Sequence, residues 1–100
     1  MVKHIILWQL KDELSAEEVA SVKLGIKEGL ESLAGKIDGL VEIKVETEGL
    51  ASSNADVMLY SVFQDENALK TYATHPAHVD VADTKVRPYT KTRLCLDFEV

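Results

Sequence analysis

"VKHIILWQL", Val2 to Leu10, is the stretch that decides the fold. It is rich in β-branched and aromatic residues, and alternation sets His4, Ile6, Trp8 and Leu10 on one face against Ile5, Leu7 and Gln9 on the other. Both faces are mostly apolar, so the run reads as a strand covered on two sides. Downstream, Ser15 stands three residues before Glu18, a capping box that starts a helix. Val19, Val22, Ile26, Leu30 and Leu33 then recur at threes and fours, with Gly35 at or just beyond the end.

The next run, "GLVEIKVETEG", sets Val41, Ile43 and Val45 against Glu42, Lys44 and Glu46, the pattern of a strand with one wet face. "GLASSNAD" is loop by composition. "DVMLYSVF" opposes Val57, Leu59 and Phe63 to Met58, Tyr60 and Val62, apolar on both sides and therefore interior. Asp65 caps a short helix with an inner stripe of Leu69, Tyr72 and Ala73. That helix bends at His75, because a residue before proline avoids the helical region. Pro76 opens a new turn, and Val79, Ala82 and Val86 continue at helical spacing to Pro88. "KTRLCLDFEV" closes the chain, with Leu94, Leu96 and Phe98 alternating against Arg93, Cys95 and Asp97.

The order β-α-β-β-α-β predicts an α+β, ferredoxin-like βαββαβ domain over residues 1–100, its antiparallel four-stranded sheet carrying helices on one face. The two-sided strands need a second cover, and a large apolar surface on a soluble protein marks an interface. A homodimer is the expected assembly.

One hundred residues allow a single core. A formal charge of −6 with no basic run argues against nucleic acid and anionic membranes, which require clustered Lys and Arg. The lone Cys95 cannot form an intrachain disulfide, which fits a reducing cytoplasm, and it reads as a packing residue beside Arg93 on the helix side. The apolar run at the N-terminus is too short for a signal core or membrane span, so a soluble, unprocessed chain is expected.

The chemistry-bearing residues concentrate in "YATHPAHVD", Tyr72 to Asp80. An imidazole titrates near pH 6.5, so His78 is available as a base at cellular pH, and Tyr72 lies across the Pro76 bend where its hydroxyl can polarise a carbonyl. The competing reading has Tyr72 as a core aromatic and His78 as a capping or packing residue. His75 caps the turn or fixes the bend, and with His78 it forms a histidine pair lacking a third metal ligand nearby, so no metal is assigned. His4 is either a pocket histidine or a buried residue satisfied by a neighbour. Glu42, Glu46, Asp65 and Glu66 read as solvated charge.

"VKHIILWQLKDE", "DVMLYSVFQDENALKTYATHPAH" and "LDFEV" resemble the stress-responsive A/B barrel domain family along essentially the whole chain, Tyr-x-x-His-Pro-x-His being the most specific part. The resemblance implies two ferredoxin-like sheets packed face to face as a dimeric α+β barrel. Within the family the motif is most similar to plant polyketide cyclases of the olivetolic acid cyclase type, which close a tetraketide by intramolecular aldol condensation without cofactor or metal. This implies His78 as base, Tyr72 as its partner and His4 in the pocket. The chain departs from those cyclases at Val57, where they have a histidine, and at Ile26, where they have a tyrosine, implying a greasier pocket that Trp8 partly fills. Two functions follow as expectations. One is a small-molecule enzyme, a cofactor-free polyketide cyclase or lyase, with a small apolar or polyketide-like ligand lined by His4, Trp8, Leu59, Tyr72 and His78. The other is a non-catalytic, stress-related structural or ligand-binding dimer.

Overall fold

The computed structural model describes residues 1–100. Its elements are β1 (Val2–Leu10), α1 (Ala16–Glu31), β2 (Leu40–Glu46), β3 (Val57–Phe63), α2 (Glu66–Thr74), α3 (Pro76–Val81) and β4 (Thr90–Glu99). All strand pairs are antiparallel, in the sheet order β2-β3-β1-β4. This is the ferredoxin-like arrangement expected from the element order.

Local chemistry sets the boundaries. Glu18 N–H donates to Ser15 Oγ at 3.1 Å and Ser15 N–H to a Glu18 carboxylate oxygen at 3.0 Å, so the capping box opens α1. Val22, Ile26 and Leu30 form its buried stripe. The helix ends earlier than the Gly35 boundary, where Ser32 Oγ donates to the Gly29 carbonyl. Two glycines at positive φ, Gly35 and Gly39, then steer the chain into β2. At Gly39 a Cβ would lie 2.5 Å from the Ala68 Cβ, so the turn is pressed directly against α2.

Asp65 caps α2 by accepting the Ala68 N–H at 2.8 Å. His75 both ends α2 and begins α3: its ψ of 131° is the extended geometry that a residue before proline requires, and its Nδ1 accepts the Ala77 N–H. The chain continues from α3 through a wider π-helical turn over Ala82–Val86 and a 3-10 turn over Arg87–Tyr89 before β4.

The core lies between the helices and the inner face of the sheet, where Ile26, Val45 and Phe63 are completely buried. Each such side chain contributes about 1.5–3 kcal/mol. The clean alternation expected for β2 fails at Val41, which is half exposed at an irregularity in the pairing between Leu40 and Glu42. On the outer face the β1–β4 register sets Leu7 opposite Leu94 and Ile5 opposite Leu96. Leu94 and Leu96 are each 63% exposed in the single chain.

Gly39→Ala should lower unfolding free energy by about 2–4 kcal/mol in urea denaturation, combining a positive-φ penalty with overpacking against Ala68. Gly35→Ala, with nothing near its Cβ position, should cost only the backbone part.

Candidate functional site

The helical stripe that buries α2 carries Tyr72 to the sheet, where it is 1% exposed. Its ring meets Phe63 edge-on at 4.9 Å and lies against the His78 imidazole at 4.1 Å, tilted by 32°. The His75–Pro76 bend is what makes that contact: it restarts the helix so that a residue six positions on returns beside Tyr72. The Tyr72 hydroxyl is the buried side-chain polar atom without a hydrogen-bond partner in the chain. Burial raises its pKa well above the usual phenol range, so it stays protonated and available as a donor.

His78 Nδ1 lies 3.3 Å from the Ala73 carbonyl, to which it donates, leaving Nε2 as the acceptor. Burial holds the imidazole below its ordinary pKa, against the opposing effect of the Ala73 bond and with smaller help from the guanidiniums of Arg87 and Arg93. The ring is therefore predominantly neutral near pH 7.

His4, buried on β1, faces Asp97 across the β1–β4 pairing, and its Nδ1 is hydrogen-bonded to the Asp97 carboxylate. That bond fixes the tautomer with Nε2 free. Ser61 Oγ holds the His4 carbonyl at 2.8 Å.

His4, Trp8, Leu59, Tyr72 and His78 line one cavity of about 130 Å³ under the helices. A cavity of about 150 Å³ is enough to hold benzene. It adjoins an open groove of about 590 Å³ along α2 and β4, with His4, Leu69, Ala73 and Arg93 common to both. Val57 and Ile26 do not line it; both are packed into the core, so neither sets the polarity of the cavity wall. Arg87 and Arg93 do line it. Alternation had set Arg93 on the helix side, but nothing in the sequence joined either arginine to Tyr72.

Cys95 departs from its expected packing role. It faces the helix side of β4 yet is exposed, because the helices leave this edge strand uncovered. Its Sγ lies 3.8 Å from His4 Nδ1 and 3.4 Å from an Asp97 oxygen. Partial burial and the Asp97 carboxylate push the thiol pKa up, so the group is a thiol and not a ready nucleophile. His4, Cys95 and Asp97 offer donor atoms within 4.8 Å of one another and are the residues that could hold a metal ion. His75 is not part of that group, its Nδ1 being engaged by Ala77.

A family model for the stress responsive A/B barrel domain matches residues 2–100. The chain belongs to that family. A dimeric ferredoxin-like protein of unknown function from Bacteroides fragilis is 34% identical to this A/B barrel domain, with a TM-score of 0.93 covering 99% of this chain and 95% of that one. A dimeric ferredoxin-like protein from Thermobifida fusca, also of unknown function, is 22% identical (TM-score 0.78; 99% and 90% covered). A hydroxynitrile lyase from Passiflora edulis shares the fold at 17% identity (TM-score 0.70; 97% and 90% covered). No curated protein matches the sequence. No helix of the domain is long and apolar enough to cross a membrane.

The lowered pKa of His78 carries a stability signature. The folded domain binds this proton less readily than the unfolded chain, so stability is full above the unfolded pKa of about 6.5 and is lost as pH falls through the depressed folded value. Urea unfolding followed from about pH 7.5 down to about pH 5 should show this loss in the wild type and a shallower one in His78→Gln.

Proposed function

We propose that this A/B barrel domain binds a small carbonyl compound and catalyses cofactor-free proton transfer at the carbon beside the carbonyl. The observation that carries the reading is Tyr72, which lines the cavity beside a neutral His78 and whose buried hydroxyl has no partner within the chain. A group placed there without a bond costs stability unless something in the cavity completes it.

The chemistry follows from the two side chains. His78 Nε2 takes the α-proton; the electron pair of that C–H bond moves toward the carbonyl, and charge collects on the oxygen. Tyr72 donates its hydroxyl hydrogen bond to that oxygen as charge develops. The enolate carbon then attacks a second carbonyl, whose oxygen takes the proton back from His78 Nε2, or is itself reprotonated there, and the same steps in reverse cleave an aldol bond. Aldol cleavage and aldol cyclisation are the two directions of one mechanism. The cavity suits a substrate of benzene-like size, and a polyketide chain would have to extend into the groove along β4. The Passiflora edulis protein is a lyase on the same fold. A cavity lined by these residues also supports an occupied pocket over a filled, purely structural core.

His78→Ala should lower turnover of a responsive β-dicarbonyl or unsaturated carbonyl substrate by about 10²-fold or more, the usual worth of a general base. Tyr72→Phe should cost about 10²–10³ in kcat, as loss of an oxyanion donor does. Unchanged binding and turnover in both variants across a substrate panel would refute the assignment.

The assembly we propose is a homodimer whose second copy covers the outer face of the sheet, where Leu7, Leu94 and Leu96 lie beside one another. The Bacteroides fragilis and Thermobifida fusca proteins are dimeric. The single thiol fits the cytoplasmic setting proposed for it. Leu96→Glu should shift the sedimentation coefficient to that of a monomer at a concentration where the wild type is dimeric.

A further inference from the structure

The chain has two arginines, Arg87 and Arg93, and both line the cavity that holds Tyr72 and His78. They come from different elements, Arg87 from the 3-10 turn after α3 and Arg93 from β4 opposite Trp8. The chain is acidic, with 17 Asp and Glu against 11 Lys and Arg, yet none of the 14 residues lining this cavity is acidic. A wall holding two guanidiniums and no carboxylate, in a protein of charge −6, is a local reversal of the overall field.

Arg93 makes no ion pair in the chain, whereas Arg87 is paired through one guanidinium nitrogen with the exposed Asp83. An exposed pair within one helical stretch is worth little and yields readily to a better acceptor. On the sheet side, the Asp97 carboxylate is already engaged by His4. Farther along the groove Glu66 and Glu99 are accompanied by Lys70. The positive character is therefore confined to the cavity and its mouth.

Resting on the carbonyl reading above, we propose that the ligand carries a carboxylate as well as its ketone, a 3-oxo acid in the simplest case, with Arg93 and Arg87 receiving the carboxylate and Tyr72 the ketone. Guanidinium presents two N–H donors in the geometry of a carboxylate's two oxygens. Size agrees: acetoacetate has seven non-hydrogen atoms, one more than benzene, and its charged end reaches the mouth shared with the groove. The arginines also offset the charge that builds on the ketone oxygen next to an existing anion, which otherwise opposes enolisation.

The test is calorimetric titration with acetoacetate and with methyl acetoacetate, the same skeleton without the charge. Wild-type protein should bind acetoacetate about tenfold or more tightly than the ester, with the preference shrinking at high salt. R93Q should erase the preference, with an unchanged far-ultraviolet circular dichroism spectrum showing that the variant is folded; R87Q should reduce it; K70Q, altered in the groove outside the cavity wall, should keep it. Equal binding of acid and ester to the wild type, or a full preference in R93Q, would overturn the carboxylate assignment and leave the carbonyl pocket standing. Binding of neither compound to the wild type would overturn both.

Discussion

Everything at the candidate site depends on how Tyr72 is buried. Its ring is held by Phe63 below and His78 alongside, while its hydroxyl finds no partner in the chain. A phenol in such a position normally acquires a bond during folding, because an unmet buried donor costs on the order of 1–3 kcal/mol. Here no side chain or backbone group of the chain supplies one, although Tyr72 lines the cavity together with His4, His78 and Arg93. The neutral imidazole of His78 and the Asp97-oriented imidazole of His4 face the same space. In the function we propose, the His78 imidazole as acceptor beside this retained phenolic donor is the acid–base pair.

The backbone device that creates this set is short. His75 must be extended because Pro76 follows, and its own side chain closes the first turn of α3. Gly29 on α1 lets that helix approach α3 closely, since a Cβ there would come within 2.9 Å of a Val81 methyl. The helices can thus press on one another while the cavity persists between them and the sheet.

How much of this was legible in the sequence follows from the range of the interactions. The capping box at Ser15, the cap at Asp65 and the bend at His75 are local chemistry and stand where spacing predicted. The two-faced pattern of β1 and β3 revealed an apolar face that the helices do not cover. Across-chain relations were hidden. Asp97 reaches His4 only because the first and last strands pair in a particular register, and no short-range pattern specifies it. Cys95 was misread as packed because alternation tells which face a residue occupies, not whether a helix extends over that edge. The two departures at Val57 and Ile26 are not in the cavity wall, whereas Arg87 and Arg93, on separate elements, are.

The account's central claim is that the Tyr72 hydroxyl is kept for a ligand and does nothing for the fold. The unfolding free energy of Tyr72→Phe, measured in urea without any ligand, tests this most directly. A hydroxyl without a protein partner predicts a variant within about 0.5 kcal/mol of the wild type, or more stable than it. A loss of about 1.5 kcal/mol or more would mean that the hydroxyl is bonded within the folded chain, and it would contradict the claim.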